Sequence, residues 1–312
     1  MAITGCKVVV TGGAGFIGSH IVDALLASGN RVTVIDNLST GNVNNIQHHL
    51  SAGNPSLEFI RGSITDLSLL QKAFKNADYV FHQAAIPSVP RSVANPSDSN
   101  DVNITGTLNV LIAARDNRVK KVVYASSCSV YGDTPTLPKQ EDMLPCPLSP
   151  YAVSKLAGEY YCRVFNTVYN LPTVSLRYFN VYGPRQDPKS EYAAVIPRFI
   201  DLVRQGRPPV VFGDGEQTRD FTFVKDVVSA NLFFAESRVT GVFNIGCGES
   251  ITLNRLVGLI IRIWGKGEIN PEYASPRAGD IRHSLADISR ARAAGWHPQY
   301  DIIAGLEEMD GR

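Results

Sequence analysis

The 312-residue sequence has almost no net charge and no long apolar run. Thirty Lys and Arg residues balance 29 Asp and Glu residues, giving a formal charge of +1, so the sequence predicts no broad basic surface for nucleic acid or an anionic membrane. No apolar stretch approaches the roughly 18 residues that a membrane span needs. Hydrophobic residues make up 44% and charged residues 19%, which is typical of a folded globular protein. We therefore expect neither nucleic acid nor a membrane as a partner.

Cysteine and metal-binding patterns are also scarce. The five cysteines are widely spaced and form no C-x-x-C pair, which excludes a disulfide framework and a cysteine zinc site. His48 and His49 are adjacent, but no third ligand stands at metal spacing beside them, so no metal is expected. The first residues lack the basic, apolar and small-residue segments of a signal peptide. These absences together predict a protein of the reducing cytoplasm.

Up to residue 177, the sequence alternates short β-branched runs with segments of helical periodicity. Strands are predicted at residues 7–11, 31–35, 57–61, 79–81, 121–125 and 173–177, and helices at 16–28, 67–76, 101–115 and 151–169. This alternation predicts an α/β fold with a doubly wound parallel sheet of the Rossmann type. After Gly183 the sequence becomes rich in turn formers. We expect a Rossmann domain over residues 1–178 and a smaller C-terminal region over 179–312 that is interleaved with it.

A glycine-rich segment, TGGAGFIGS at residues 11–19, places Gly12, Gly15 and Gly18 between the first strand and the first helix. Glycines at this spacing let a pyrophosphate approach the backbone at the helix N-terminus and let the helix pack closely on the strand. Asp36 ends the second strand 18 residues after Gly18, where a carboxylate can bind the adenosine ribose hydroxyls. Because that carboxylate would repel a 2′-phosphate, the pattern predicts NAD rather than NADP as the cofactor.

Two further motifs carry hydroxyl and amine groups. Tyr151 and Lys155 stand four residues apart at the start of a predicted helix, so both side chains lie on one helix face. An ammonium group one turn from a phenol can lower the pKa of that phenol, and a cationic nicotinamide would act in the same direction. Upstream, YASSCSVYG at residues 124–132 ends a strand with a cluster of hydroxyl groups, at the edge where open α/β sheets bind ligands.

The glycine loop, the serine cluster and the Tyr-x-x-x-Lys pair, in this order, resemble the extended short-chain dehydrogenase/reductase family over essentially the whole chain. Five later motifs are similar to its UDP-sugar 4-epimerase branch, most of all to members that act on UDP-N-acetylglucosamine: HQAAIPSVPR at 82–91, RYFNVYGP at 177–184, YAAVIP at 192–197, GDGEQTRD at 213–220 and GDIRHSLADIS at 279–289. The resemblance implies reversible, NAD-dependent C4 epimerisation through a 4-keto intermediate, between UDP-N-acetylglucosamine and UDP-N-acetylgalactosamine and between UDP-glucose and UDP-galactose. It also implies a homodimer.

The resemblance also implies roles for individual residues. It makes Tyr151 the base and acid, Lys155 the partner that tunes its pKa and anchors the nicotinamide ribose, and Ser127 the hydroxyl bonded to the sugar 4-oxygen. The expected cofactor positions, including the segment after Asp36, are Gly12, Gly15, Phe16, Ile17, Gly18, Asp36, Asn37, Ser39, Thr40, Gly41, Ser63, Ile64, Gln83, Ala84, Ala85, Asn103, Tyr151, Lys155 and Phe179. The expected substrate positions are Ser88, Ser127, Ser129, Asn180, Val195, Val211, Phe212, Arg219, Arg277 and Ser284. Residues 179–312 are thus expected to hold mainly the UDP-sugar.

Three positions bear on how closely the chain follows that family. Ser63-Ile64 stands where Asp-Ile usually meets the adenine, so that contact is expected to be weaker or supplied differently. Cys128 stands where Ser or Ala is common, and without a basic neighbour in the sequence we expect it to pack rather than to react. Ser284 matches a position that is tyrosine in epimerases restricted to glucose and galactose and small in those that accept a 2-acetamido group. A small residue there predicts that both kinds of sugar are accepted.

Three alternative functions stay open. A UDP-glucuronate 4-epimerase is one, since sugar identity rests on few residues. A nucleotide-sugar dehydratase or decarboxylase is the second. Dehydratases carry Asp-Glu at the positions of Cys128 and Ser129, and decarboxylases carry Glu at the second, whereas the residues here do not serve that chemistry at neutral pH. The third is a non-catalytic NAD-binding regulatory protein, which would keep the glycine loop but typically lose the Tyr/Lys pair.

Overall fold

The computed structural model describes residues 3–188, 194–265, 268–276 and 281–311. Its strands are β1 (Lys7–Thr11), β2 (Arg31–Asp36), β3 (Leu57–Arg61), β4 (Tyr79–His82), β5 (Lys121–Ser127), β6 (Thr173–Tyr178), β7 (Val181–Tyr182), β8 (Val210–Phe212), β9 (Thr218–Arg219), β10 (Thr222–Phe223), β11 (Gly241–Ile245), β12 (Ile251–Thr252) and β13 (Glu272–Ala274). Its α-helices are α1 (Phe16–Ala27), α2 (Gln47–Ser51), α3 (Leu67–Ala73), α4 (Val89–Ala94), α5 (Pro96–Asn100), α6 (Gly106–Asp116), α7 (Pro150–Tyr169), α8 (Val195–Arg204), α9 (Val224–Glu236), α10 (Leu253–Trp264), α11 (Ser289–Ala293) and α12 (Ile302–Asp310).

Seven strands form one sheet in the order β11-β6-β5-β4-β1-β2-β3. The pairs β1–β2, β2–β3, β1–β4 and β4–β5 are parallel. Val8, Val9 and Val10 of β1 are fully buried, as expected for a parallel strand covered on both faces. The chain leaves β1 toward β2 and β3 and returns on the other side at β4, so the ends of β1 and β4 form the switch point at which such sheets bind ligands. The predicted Rossmann-type parallel sheet is confirmed.

The chain divides into two compact units. The first comprises Met1–Val130, Pro145–Arg177 and Val227–Phe243, and the second comprises Tyr131–Leu144, Tyr178–Asp226 and Asn244–Arg312. The large sheet belongs to the first unit, apart from the last residues of β6 and β11. The second unit contains the parallel pairs β7–β10 and β8–β13 and the antiparallel pair β9–β12. The predicted domain boundary at residues 178 and 179 stays a prediction.

One predicted helix differs in form from the expectation. The segment predicted as a helix over 101–115 is a π-helical turn, Asp101–Thr105, followed by α6. Before it lie α4 and α5, whose N-caps are Ser88 and Asn95 and whose first turns contain proline. Proline is favourable there because it has no N–H to leave unbonded. Helices this short carry no periodic pattern, so the sequence does not predict them. In the part of the chain that the structure describes, no helix is long and apolar enough to cross a bilayer.

Helix α7, which carries the predicted catalytic pair, packs against β5. The Ser149 hydroxyl caps its start by accepting a first-turn N–H at 3.1 Å, and Pro150 occupies the first turn. Gly158 allows the close approach, since a Cβ there would come within 2.2 Å of the Tyr124 hydroxyl of β5. The start of α7 is thereby held close to the carboxyl half of β5.

Candidate active site

The loop between β1 and α1 depends on close backbone approaches that only glycine allows. Gly12 has a φ of +71°, and a Cβ there would lie 2.6 Å from the backbone nitrogen of Ala84, just after β4. A Cβ on Gly18 would lie 2.2 Å from the Gly12 carbonyl oxygen. Gly15 is the N-cap of α1 and has no side chain to bond the first-turn N–H groups, which therefore suit an anion. This cradle fits the pyrophosphate of a dinucleotide.

Asp36 ends β2 beside that loop. Its carboxylate accepts hydrogen bonds from the Ala14 N–H at 3.0 Å and the Leu38 N–H at 2.8 Å. Burial raises the pKa of this carboxyl, and the two N–H donors oppose the rise. A Cβ on Gly41 would lie 2.8 Å from a carboxylate oxygen, so the segment after β2 folds back onto Asp36. A carboxylate enclosed in this way fits the hydroxyls of a ribose.

The other cofactor positions predicted in the first unit differ in exposure. Those at least partly exposed are Phe16, Ile17, Asn37, Ser39, Thr40, Ser63, Gln83, Ala84 and Ala85. Ile64 is buried in the hydrophobic core instead. Asn103 is buried too, and its amide bonds the Ile86 backbone and the Ser154 hydroxyl, 3.0 Å away. The cofactor contacts of all these residues stay predictions.

Ser127 and Tyr151 meet at the carboxyl end of β5. The Ser127 hydroxyl lies beside the Tyr151 phenol and opposes the rise in its pKa, and it accepts the Ser129 N–H at 3.2 Å. The Lys155 ammonium donates to the Ala125 carbonyl at 2.9 Å and lies 5.9 Å from the centroid of the Tyr151 ring. The structure therefore brings the three predicted catalytic residues together within the first unit.

Burial dominates the electrostatics of this group. It raises the pKa of Tyr151 to about 12, opposed by the nearby Ser127 hydroxyl, and it lowers the pKa of Lys155 to about 8. The Tyr-x-x-x-Lys spacing predicts a phenol pKa lowered by the ammonium, but in the structure the desolvation of the phenol is the larger effect. A lysine with this pKa is still mostly protonated at pH 7. A positive charge thus remains one helical turn from the phenol.

The serine cluster continues beyond Ser127. The hydroxyl oxygen of Ser129 is buried, and among the described residues it has no hydrogen-bond partner. Because a buried hydroxyl without a partner costs free energy, such an atom beside Ser127 suits a polar ligand. Cys128 is partly buried. Ser88, predicted near the sugar, caps α4 by accepting the Arg91 N–H at 3.2 Å.

A buried ion pair supports the catalytic group, and no sequence motif signals it. Arg177 of β6 donates to both oxygens of Glu159 on α7, at 2.8 and 2.7 Å, and both side chains are only 3% exposed. The Ser126 hydroxyl donates to the same carboxylate. Ser126 precedes Ser127, and Glu159 lies one turn after Lys155 on α7. The pair therefore fixes the end of β5 against the catalytic helix.

In the second unit, Asp220 joins segments that carry predicted substrate residues. Its buried carboxylate accepts the N–H groups of Cys247 at 2.8 Å, Gly248 at 3.1 Å and Ala286 at 3.1 Å. Burial raises the pKa of Asp220 to about 6, although these three donors oppose the rise. Its own carbonyl accepts the Asn180 side chain at 3.0 Å. The sequence motif contains this aspartate but does not reveal its partners, which lie far along the chain.

Arg219 and Ser284 are anchored to one carbonyl group. The Ser284 N–H and the Arg219 guanidinium both donate to the Thr218 carbonyl, at 3.1 and 2.9 Å, and both side chains are partly exposed. The structure thus brings these two predicted substrate residues together. The other predicted positions of this unit are partly exposed or buried: Phe179, Asn180, Val195, Val211 and Phe212. Arg277 lies outside the described residues.

A cavity of about 530 Å³ in the second unit is lined by Phe212 and by three polar residues that lie within quoted motifs but were not predicted as site residues: Asp214, Gln217 and Arg282. Arg282 and Asp214 form a bidentate ion pair at its edge, with both N···O distances 2.8 Å. Gln217 donates its amide N–H to the Phe212 carbonyl at 2.7 Å. Its buried amide oxygen has no partner among the residues that the structure describes. The cavity therefore suits a ligand that donates a hydrogen bond.

Known proteins resemble this chain over nearly its whole length. Residues 8–246 match the NAD dependent epimerase/dehydratase family. The chain is 44% identical over 305 residues to a putative UDP-glucose 4-epimerase of Methanocaldococcus jannaschii, covering 97% of this chain and 96% of that protein. It matches the structure of UDP-N-acetylglucosamine 4-epimerase from Methanobrevibacter ruminantium M1 in complex with UDP-N-acetylmuramic acid with a TM-score of 0.93 at 46% identity, covering 98% and 96% of the two chains. The complex of Thermus thermophilus UDP-glucose 4-epimerase with NAD gives a TM-score of 0.87 at 39% identity, covering 97% of each chain.

Proposed function

This chain belongs to the NAD dependent epimerase/dehydratase family, and on that premise we propose that it inverts the configuration at C4 of UDP-hexoses. The predicted family is confirmed, and the predicted cofactor, NAD, is confirmed at the level of the family. The proposed substrates are the pair UDP-N-acetylglucosamine and UDP-N-acetylgalactosamine and the pair UDP-glucose and UDP-galactose. The observation that carries the proposal is the desolvated Tyr151 phenol beside the Ser127 hydroxyl, with an ammonium group one turn away.

In the proposed reaction, Tyr151 removes the proton of the sugar 4-hydroxyl. It later returns that proton to the 4-oxygen, once C4 has the opposite configuration. Its pKa of about 12 means that the phenol needs a favourable charge to ionise near neutral pH. The Lys155 ammonium supplies that charge from one turn along α7. Ser127, which lies beside the phenol, bonds the sugar 4-oxygen. The buried hydroxyl of Ser129 bonds a further sugar hydroxyl.

The first unit carries the residues proposed for the cofactor. Gly12, Gly15 and Gly18 would hold the pyrophosphate, since a side chain at Gly12 or Gly18 would collide with backbone. Asp36 would bind the adenosine ribose, and Lys155 the nicotinamide ribose. When bound, NAD supplies a reversible two-electron oxidation at C4 of the sugar, which gives the 4-keto intermediate.

The second unit carries the residues proposed for the uridine diphosphate and for the sugar's C2 substituent. A guanidinium group can donate two parallel hydrogen bonds to a phosphate, and Arg219 is held in place by the Thr218 carbonyl. Arg277 is proposed for the same diphosphate. Ser284 is fixed by its backbone to the same carbonyl as Arg219, so its small side chain stands near the proposed diphosphate ligand. A small side chain there leaves room for a 2-acetamido group.

A side-by-side product assay tests the proposed function. The purified chain is incubated separately with UDP-glucose, UDP-N-acetylglucosamine and UDP-glucuronate, without added reductant, and the sugars are identified by NMR. We expect C4 epimers from the first two and no lasting accumulation of NADH. Turnover of UDP-glucuronate alone favours the uronate epimerase, and a dehydrated or decarboxylated product favours those enzymes. Accumulation of NADH with oxidised sugar indicates a dehydrogenase, and no turnover of any sugar favours the regulatory protein.

We further propose that the protein is a homodimer that pairs through α7. Val153, Tyr160, Val164 and Val168 lie 7, 4 and 4 residues apart on this helix, and each is 46–62% exposed. An exposed apolar stripe of this kind on a helix is typical of an interface. Light scattering after size exclusion should give twice the chain mass for wild type and the single-chain mass for Val164→Asp. Leu144→Asp, at an 87% exposed site on the second unit, should leave the dimer intact. A wild-type monomer contradicts the proposal.

A further inference from the structure

Three side chains of metal-ligating type meet between α1 and α2. Asp23 lies on α1, and His48 and His49 are consecutive residues of α2. Nε2 of His48 lies 3.2 Å, and Nε2 of His49 lies 2.8 Å, from the same carboxylate oxygen of Asp23. One ligand atom from each of the three side chains lies within 4.8 Å of the other two. Within the described ranges, no other three His, Cys, Asp or Glu side chains come together in this way.

The convergence of the two histidines is unusual for neighbours on a helix. Successive residues of an α-helix point about 100° apart. Here the two imidazole rings have centroids only 4.0 Å apart, and both reach one carboxylate oxygen. Two ring nitrogens thereby converge on one carboxylate oxygen. The sequence shows only the His48-His49 pair, because Asp23 precedes it by 25 residues.

We propose that Asp23, His48 and His49 bind a divalent transition metal ion such as Zn²⁺. Imidazole nitrogen and carboxylate oxygen are both zinc ligands, whereas Mg²⁺ and Ca²⁺ favour sites made of oxygen alone. Zinc bonds of about 2.0–2.2 Å at tetrahedral angles place ligand atoms about 3.3–3.6 Å apart. The nitrogen of His48, 3.2 Å from the carboxylate oxygen, is close to that spacing, and the nitrogen of His49, at 2.8 Å, lies nearer to the oxygen than an ion requires. Small side-chain shifts would therefore admit an ion, with the fourth position left to water.

The group is open to ions from solvent. The side chains of His48, His49 and Asp23 are 50%, 20% and 30% exposed, respectively. Two imidazoles that share one carboxylate oxygen already hold the three donors in place, so an ion need not order them from a disordered surface. This preorganisation lowers the entropic cost of binding.

An ion at this point would tie α1 to the segment that contacts the glycine loop. The Asn42 N–H and the Asn45 side chain both donate to the Ala14 carbonyl of that loop, at 3.0 and 2.9 Å. Helix α2 begins two residues after Asn45. Because an ion that binds only the folded arrangement stabilises it by mass action, opening of residues 42–51 should become rarer when the ion is bound.

Isothermal titration of zinc chloride into the full chain, first freed of metal by EDTA and dialysis, tests the proposal. We expect saturable binding of one ion per chain, with a Kd that rises by roughly tenfold or more in each of Asp23→Asn, His48→Ala and His49→Ala, since each removes one of three ligands. The matched control is His297→Ala, which removes an exposed histidine outside the group and should leave the Kd unchanged. Zinc should also slow amide hydrogen exchange in residues 42–51 of the wild type but not of the three variants.

Several results would overturn the proposal. The first is the absence of saturable zinc binding to the wild type. The second is a Kd that stays the same in the three variants. The third is a rise of the Kd in His297→Ala that equals the rise in those variants. Both of these outcomes place the ion elsewhere. Asp23→Asn keeps the size of the side chain and far-UV circular dichroism reports whether each variant folds, so a loss of binding in a folded variant is attributable to the missing ligand.

Discussion

At the scale of single residues, the proposed chemistry depends on the Tyr151 phenol. Tyr151→Phe removes the hydroxyl but keeps the ring that packs beside Ser127 and Lys155, so the fold and the NAD content should stay at wild-type levels. We expect kcat to fall by about 10²–10⁴, the usual contribution of a general base. The measurement is steady-state turnover together with the absorbance of bound nicotinamide and circular dichroism. Turnover close to wild type would assign the base to another group.

The choice of sugar is proposed to depend on Ser284. Its backbone is fixed by the Thr218 carbonyl, so a larger side chain there has little freedom to move aside. Ser284→Tyr should abolish activity on UDP-N-acetylglucosamine for steric reasons and spare activity on UDP-glucose, whose 2-hydroxyl is small. Ser284→Ala keeps the side chain small and should retain both activities. Steady-state kinetics on UDP-N-acetylglucosamine and UDP-glucose test this prediction. Equal loss or equal retention of both activities in Ser284→Tyr would contradict the proposed role of Ser284.

At the scale of secondary-structure elements, the Arg177–Glu159 pair joins β5, β6 and α7. Arg177→Met leaves a buried carboxylate without its partner, which typically costs about 3–5 kcal/mol of unfolding free energy. Glu159→Leu leaves a buried guanidinium and should cost a similar amount. The double variant buries no unpaired charge. Its loss of unfolding free energy should therefore be smaller than the sum of the losses in the two single variants. Urea unfolding of the four proteins measures this coupling, and additive costs would show that the two charges do not interact.

The strands of the large sheet show what the sequence can predict at this scale. β1 and β3 have their predicted ends, and β2, β4, β5 and β6 extend one or two residues beyond theirs, because β-branched runs bounded by turn formers are local signals. The sequence does not predict β11. Its place beside β6 joins segments more than sixty residues apart, and nothing within its own five residues indicates that partner. The π-helical turn before α6 is likewise invisible in the sequence, since its periodicity is that of a helix.

The residues of the candidate site also divide into those that local motifs predict and those that only the folded chain reveals. Ser127, Tyr151 and Lys155 belong to local motifs, and the structure brings them together as the motifs predict. Glu159 and Asp220 act through partners 18 to 66 residues away, so only the folded chain reveals them. The same holds for the pKa of the phenol. The Lys155 spacing is visible in the sequence, but the desolvation that outweighs it is a property of the packed interior.

At the scale of the whole molecule, stability and pH are linked through buried titratable groups, and His82 is one whose pKa is far from its ordinary value. It is 1% exposed, and its two ring nitrogens are paired with the Thr11 and Thr107 hydroxyls at 2.7 and 2.9 Å. Burial, and to a smaller extent the charge of Lys155, lowers the pKa of His82 to about 3. The folded protein therefore keeps this ring neutral at pH values where an unfolded histidine is protonated.

The sign of the pH effect follows from that difference. Between about pH 6.5 and about pH 3 the unfolded chain binds one more proton at His82 than the folded chain does, so acidification favours unfolding. This group should remove about 1.4 kcal/mol of unfolding free energy per pH unit over that range, and nothing above it.

His82→Gln keeps a side chain that can bond both threonines but does not titrate. The unfolding free energy of this variant should therefore fall less steeply with acid than that of the wild type. Urea unfolding of both proteins at pH 7.5, 6.5, 5.5 and 4.5 tests this. A constant difference between the two proteins across the series would show that His82 titrates normally in the folded state.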